Sequence, residues 1–348
     1  MKIALVGLGY WGEKILRNLV ATCGPESVLG VDTEPGRLAF VRKFYPGVAV
    51  ASSLSDALAA PEVRAVIVAT PVQSHAALAR LILESGRHVL VEKPLAANIV
   101  DAAGLAQLAH ERELTAMVGH TFLFSPRVQV MTDVVDRGQI GRLHYLTTAR
   151  LNLGLYRSDI NVIWDLAPHD FSILFHVLKD FPVRVQTTAR SSVRAGVPDV
   201  AFINLTFSSG VIASVVVSWR APRKVRNVVL VGDLGTIVYD DTMPDEPIKV
   251  FDRGVMTTDS ADFGENLLTY RYGDTIAPHV APTEPLLLEI EHFVACVTTG
   301  APCQSDAWFG LEVVRALAAA DDSWRNGGVV VELDRSRSPQ PSGEGLAR

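Results

Sequence analysis

The chain has 348 residues, 48% of them hydrophobic and 20% charged, enough for two cores of ordinary domain size in a soluble globular protein. Its formal net charge is -6 at pH 7, with a sequence pI near 5.9, and this lacks the basic excess that nucleic-acid binding through phosphate contacts requires. No stretch approaches the roughly 18 consecutive apolar residues of a membrane span, and no small-residue cleavage site follows the first apolar run, so the expectation is a cytoplasmic protein without a membrane partner.

Over the first 120 residues short β-branched runs at 3–6, 28–31, 65–69, 88–91 and 115–118 alternate with helical spacing at 13–20, 37–44, 74–83 and 99–113. That rhythm predicts βαβ units and a buried parallel sheet, a doubly wound domain over 1–120. From Gly141 the pattern changes to longer strands at 143–151, 183–193, 200–207, 211–219, 225–231 and 235–239, joined by turn signals such as Ser208-Ser209-Gly210. A second, α+β domain over 121–334 with a mainly antiparallel sheet is therefore expected. One helix interrupts it, beginning near Asp165 and ending at Leu178, and two more at 284–298 and 306–324 close the chain, the last expected to pack back on the first domain. The tail 335–348 is rich in Ser, Pro and Gly and reads as disordered. Cys23, Cys296 and Cys303 are odd in number and lack metal-type spacing, so neither a disulfide framework nor a metal site is expected.

Gly7-x-Gly9-x-x-Gly12 follows the first strand and opens a helix, and Asp32 ends the second strand. Gly7 permits the tight turn, Gly9 lets the backbone approach a pyrophosphate, Gly12 lets helix and strand pack closely, and Asp32 can accept from ribose hydroxyls. A carboxylate there repels a 2′-phosphate, and Arg37 is spaced too far along the next helix to offset it, so NAD is favoured over NADP. Lys93 stands at the exit of the fifth strand, followed by Pro94; such a lysine is either solvated or aimed into the crevice where parallel sheets bind ligands. Asp165 and His169, four apart, share a face if helical, giving either an oriented general base or an N-cap aspartate followed by a structural histidine. His120, ending the strand at 115–119, is either a substrate contact or a satisfied core histidine. Tyr156 and Arg157 precede the histidine segment and are candidate substrate contacts. Arg220, Arg223, Lys224 and Arg226 cluster at the start of a strand, where Lys224 and Arg226 would share a face. The cluster is either a charged strand edge or a handle for a substrate diphosphate.

Taken together, Gly7-Leu8-Gly9-Tyr10-Trp11-Gly12, Thr70-Pro71 with His75, Glu92-Lys93-Pro94, and Asp165-x-x-x-His169 resemble the glucose-fructose oxidoreductase and inositol dehydrogenase family, Gfo/Idh/MocA, over about residues 1–330. The resemblance implies a Rossmann domain plus an open-faced antiparallel sheet, the nicotinamide between them, and a homodimer or homotetramer formed through that sheet. It also implies that Lys93 and His169 are catalytic with Asp165 in support, and that Tyr10, Trp11, Thr70, His75 and Glu92 lie near the cofactor with the glycines and Asp32. Within the family, 161–173, Ser218-Trp219, 222–226 and 238–241 resemble the members that oxidise nucleotide sugars such as UDP-N-acetylglucosamine at C3. The implied activity is NAD-dependent oxidation of a ring hydroxyl of a sugar, without a metal. Two alternatives stay open: a ketoreductase or dehydrogenase of a deoxysugar, aminoglycoside intermediate or free polyol, and a non-catalytic dinucleotide- or sugar-sensing regulator.

Overall fold

The computed structural model describes residues 1–154, 156, 160–258 and 267–334. Arg157 and the tail 335–348 lie outside them. The chain divides into two compact units, residues 1–125 with 283–315 and residues 126–282 with 316–348. The boundary expected at 120 thus falls at 125, and the segment 283–315, expected in the second domain, belongs to the first unit.

In the first unit β1 (Lys2–Val6), α1 (Tyr10–Cys23), β2 (Val28–Val31), α2 (Pro35–Phe44), β3 (Ala49–Ala51), α3 (Leu54–Ala59), β4 (Val63–Val68), α4 (Val72–Glu84), β5 (His88–Glu92), α5 (Ile99–Glu111) and β6 (Ala116–Gly119) alternate regularly. The six strands pair in the order β3-β2-β1-β4-β5-β6, every pair parallel. Strands covered on both faces bury every side chain, and β2 and β6 show the resulting unbroken apolar runs. The β3–α3 unit escapes a sequence reading because three residues are too short to show a period. Ser53 caps α3 and Asn98 caps α5, each accepting from the backbone N–H three residues on.

A later helix, which becomes α8 below, completes the core of this unit. Its Leu286, Ile290 and Phe293 join Ile15, Leu16 and Leu19 of α1 in one buried cluster. The spacing of those residues places them on one helical face, so burial of an apolar stripe carries residues 283–315 back to the first unit.

The second unit contains α6 (Pro126–Asp136), β7 (Leu143–Leu153), α7 (Val162–Leu178), β8 (Pro182–Arg190), β9 (Val200–Phe207), β10 (Ile212–Ser218), β11 (Arg220–Gly232), β12 (Thr236–Asp240), β13 (Ile248–Thr258) and β14 (Leu267–Ile276). The chain then runs through α8 (Pro285–Thr299) and α9 (Ala307–Arg325) to β15 (Val331–Glu332). Nine strands pair in the order β14-β13-β12-β11-β7-β10-β9-β8-β15. The sheet is antiparallel except for β7 with β10, where Ile212 lies beside Tyr145 in a parallel register. Among the described residues no helix is long and apolar enough to cross a membrane.

α7 starts at Val162, three residues before the expected position, because Asn161 caps it by accepting from the Ile163 and Trp164 N–H groups. It packs on β7, β9 and β10. Phe175, stacked on Phe171, faces Phe207, while Phe202, out of phase on β9, is 51% exposed on the other sheet face with Tyr145 and Ile212. A buried ion pair joins helix to sheet: the Arg150 guanidinium of β7 donates to both carboxylate oxygens of Asp170 of α7, at 2.8 and 3.3 Å. Burial pushes the Asp170 carboxyl up and the Arg150 charge draws it down, so the carboxylate depends on its partner.

Removing one member of such a pair strands the other charge in the core. The Asp170→Ala protein is expected to lose about 3–5 kcal/mol of unfolding free energy in urea titrations. A loss below about 1 kcal/mol would show that the pair does not hold α7 to the sheet.

Candidate active site

The turn after β1 is built around backbone proximity. Gly7 has φ +95°, a region that side chains rarely tolerate. A Cβ on Gly12 would lie 1.9 Å from the Gly7 carbonyl oxygen, whereas a Cβ on Gly9 would meet nothing within 4 Å. Packing therefore requires the first and third glycines, and the middle one leaves room beside the N-terminus of α1, where free N–H groups favour an anion.

A cavity of about 490 Å³ opens beside that turn, lined among others by Gly7, Gly9, Asp32, Ser53, Thr70 and Leu54. Asp32 accepts the Leu8 N–H at 2.7 Å on one oxygen and the Glu34 N–H at 2.9 Å on the other. A carboxylate has about four lone-pair sites, so two remain for ribose hydroxyls. The cradle fits a dinucleotide: room at Gly9, helix N–H groups for the pyrophosphate, and an oriented acceptor for the ribose. Arg37, which its spacing placed too far along α2, lines the same cavity and pairs with Glu34 at 3.4 Å. One turn of α2 brings position 37 back over the loop that holds Asp32.

The strand-exit motif is held from three sides. Trp11 Nε1–H donates to Glu92 Oε1 at 2.5 Å and the Lys93 N–H reaches Glu92 Oε2 at 3.3 Å. Burial raises the Glu92 carboxyl to about 7, against the downward pull of the Trp11 bond and the Lys93 charge. His75 is buried, with Nδ1 2.9 Å from the Pro94 carbonyl and Nε2 2.8 Å from the Thr70 carbonyl. Burial lowers its pKa, opposed by those two carbonyls. The ring sits between the loop after β4 and the Lys93–Pro94 turn, within hydrogen-bond reach of a carbonyl on each side. Tyr10 is 76% exposed beside Lys14, whose ammonium donates to its hydroxyl at 2.9 Å.

His120 is 1% exposed, and neither ring nitrogen meets a partner among the described residues, so it is not the satisfied core histidine that one sequence reading allowed. Burial, then the Lys93 charge, lowers its pKa to about 3, so the ring is neutral at any physiological pH. Glu289, which the sequence reading passed over, brings a second buried carboxyl to the same unit. Thr121 donates to its Oε2 at 2.9 Å, and burial together with the Glu92 carboxyl raises its pKa well above the ordinary range. The signal for it was an acid on the apolar face of α8, between Leu286 and Phe293.

In the second unit Asp165 is not the cap of α7 but lies in its first turn, where its Oδ2 accepts from Trp219 Nε1–H at 3.0 Å. His169 follows one turn later on the same face, and Pro168 between them has no N–H to return to the Trp164 carbonyl. Tyr156 is half-exposed and meets the edge of Trp219 with ring centroids 5.6 Å apart. The structure thus gathers Tyr156, Trp219 and Asp165 on the side of α7 that carries His169. Arg220, Arg223 and Lys224 are exposed. Arg226 is not their companion, because it donates to Asp241 at 3.2 Å, which also binds Arg127 and Tyr239. The register of β11 slips between Arg220 and Val225, the stretch that holds Arg223 and Lys224.

Residues 1–120 match the family model described as oxidoreductase family, NAD-binding Rossmann fold, and residues 128–238 match the GFO/IDH/MocA C-terminal domain. A 4-carboxy-2-hydroxymuconate-6-semialdehyde dehydrogenase of Sphingobium sp. is 38% identical over 140 residues, 40% of this chain and 44% of that protein, so the match spans under half the relative's length. A UDP-N-acetylglucosamine 3-dehydrogenase of Acidithiobacillus ferrooxidans is 29% identical over 92% of this chain and 95% of its own. Among solved structures, GenD2 from gentamicin A biosynthesis in complex with NAD superposes with a TM-score of 0.78 at 25% identity, covering 96% of each chain.

The two unlike glycines separate packing from binding. Gly12→Ala is expected to lower the melting temperature or abolish soluble yield, because backbone must move. Gly9→Ala is expected to melt within about 2 °C of the parent, the range of a neutral surface change, and to bind dinucleotide at least about tenfold more weakly in fluorescence titration. Unchanged binding in Gly9→Ala would mean that the cradle is not used.

Proposed function

Because the chain belongs to the Gfo/Idh/MocA family of oxidoreductases with an NAD-binding Rossmann domain, we propose that it is an NAD-dependent dehydrogenase that oxidises a ring hydroxyl, at C3, of a nucleotide-activated sugar such as UDP-N-acetylglucosamine. The observation that carries the substrate class is the near full-length match to a UDP-N-acetylglucosamine 3-dehydrogenase, over 92% of this chain and 95% of that one. Gly7, Gly9 and the α1 N-terminus hold the pyrophosphate, and Asp32 the adenosine ribose, with Thr70 lining the same cavity. The preference for NAD over NADP rests on two carboxylates, Asp32 and Glu34, with Arg37 already paired to Glu34. A homodimer or homotetramer would bury the exposed Tyr145, Phe202 and Ile212 of the second sheet.

Bound NAD would supply the hydride acceptor for the hydrogen of the carbinol carbon. His169 takes the hydroxyl proton as general base, its ring oriented on α7 beside Asp165. Lys93 donates a hydrogen bond to the oxygen as it loses that proton, stabilising the developing negative charge. Glu92 and His75 are positioning residues, since they fix the turn on which Lys93 stands. The exposed Arg220, Arg223 and Lys224 are the groups offered to a substrate diphosphate, which suits the planar fork of arginine.

Lys93→Met and His169→Ala are expected to bind NAD as the parent does while kcat falls about 100-fold or more, measured by NADH absorbance at saturating substrate. Near-normal turnover in either variant removes its assigned role, and absence of turnover in the parent with every sugar offered points to the sensing alternative.

Nucleotide activation has its own test. A UDP-sugar is expected to be oxidised with a kcat/KM about tenfold or more above that of the free sugar, an advantage that shrinks as salt rises. Arg223→Ala with Lys224→Ala is expected to raise KM for the UDP-sugar alone. Equal activity on a free polyol, without salt dependence, moves the enzyme to the unactivated-sugar branch.

A further inference from the structure

α8 ends with His292 and Cys296 four residues apart on one face, and Cys303 returns to them from the turn between α8 and α9. A donor atom from each of the three lies within 4.8 Å of the others, and His292 Nε2 is 3.4 Å from Cys296 Sγ. The geometry assigns to His292, Cys296 and Cys303 a binding site for a thiophilic d10 dication, Zn²⁺, separate from the dinucleotide cradle and from the dehydrogenase chemistry.

The distances suit that ion. Tetrahedral zinc with Zn–S of about 2.3 Å and Zn–N of about 2.0 Å separates sulfur from nitrogen by roughly 3.5 Å and sulfur from sulfur by roughly 3.8 Å. The observed spread requires a contraction of no more than about an ångström, mostly in the turn that carries Cys303. Two thiolates and a neutral imidazole supply two negative charges, which a dication neutralises, and their softness disfavours Mg²⁺ or Ca²⁺. Cys296 is 1% exposed while His292 and Cys303 are partly exposed, so the site has a closed side and an entrance.

Supporting contacts already surround it. The His292 ring lies 5.2 Å from the Phe124 ring, and its Nε2 accepts the Gln304 N–H at 3.1 Å. Coordination would exchange that hydrogen bond, and the weak Cys296 thiol bond to the Pro302 carbonyl at 3.7 Å, for bonds to the ion. Three protein donors leave the fourth position to water. The turn that would be clipped is also the one whose Ser305 bonds β6, accepting the Val118 N–H at 2.8 Å and donating to the Val118 carbonyl at 2.8 Å. The ion would therefore brace this turn against α8. The cysteine spacing along the chain hides the arrangement, because the third donor is a histidine one turn upstream and the chain reverses between the two sulfurs.

The test uses the full chain, reduced, stripped with a chelator and freed of it, then titrated with Co²⁺ alone. The expected result is sulfur-to-cobalt charge-transfer absorption that saturates at one cobalt per chain and is displaced by Zn²⁺. Cys303→Ser and His292→Gln are expected to lose that saturable absorption, while Cys23→Ser keeps it. Zinc is expected to raise the melting temperature of the parent and of Cys23→Ser but not of Cys303→Ser, which in chelator should melt as the chelated parent does. The proposal is overturned if no charge-transfer band forms, if the band survives in Cys303→Ser, or if intact mass shows that the reduced protein reverts to a Cys296–Cys303 disulfide instead of taking metal.

Discussion

A methyl group on Gly12 would stand 1.9 Å from the Gly7 carbonyl, and much of the first unit follows from that closeness. Only because α1 lies hard against the end of β1 can Trp11, in its first turn, reach across to Glu92 at the end of β5. Glu92 in turn receives the Lys93 N–H, so the glycine turn after β1 and the strand exit that presents a lysine are mechanically joined. His75 adds a third contact, its ring packed between the Thr70 carbonyl and the Pro94 carbonyl that follows the lysine and donating to one of them. These bonds are buried and polar, and in a low-dielectric setting such bonds fix one arrangement because each alternative leaves a group unpaired.

The second unit reaches the same end by other means. Asn161 fixes where α7 begins, the Arg150–Asp170 pair fixes how it sits on the sheet, and Trp219 fixes the Asp165 carboxylate. Asp170 is the residue next to His169, so the charge that anchors the helix and the candidate base are adjacent in sequence and on different faces. Rigid elements of this kind hold side chains more closely than loops do, which suits a base that must meet one hydroxyl.

What the sequence disclosed was local. The glycine turn, the strand that precedes it and the acid that follows are all contained in one βαβ unit, and the parallel sheet shows itself in strands apolar on both faces. The missed features are long-range pairings. Nothing near Arg226 announces that Asp241 will engage it, and nothing near Asp165 announces Trp219. Glu289 looks like a flaw in an amphipathic helix until Thr121 and Glu92 stand beside it. The return of residues 283–315 to the first unit is likewise a matter of which apolar face accepts α8, and that face is composed of residues almost the whole chain away.

The parallel pairing of β7 with β10 has a consequence for how the second unit forms. Tyr145 and Ile212 meet side by side, yet the chain between them holds α7, β8 and β9. A hairpin cannot zip such a pair together, because parallel neighbours need a long crossover whose closure entropy is lost before any contact repays it. The antiparallel run of β8, β9 and β10 can assemble from neighbours, but the seam at the middle of the sheet closes only once the crossover is laid down. The helix bearing Asp165 and His169 is part of that crossover. Formation of the sheet centre and delivery of the candidate base to its surface are thus one kinetic event, and a chain that fails at the seam fails at both.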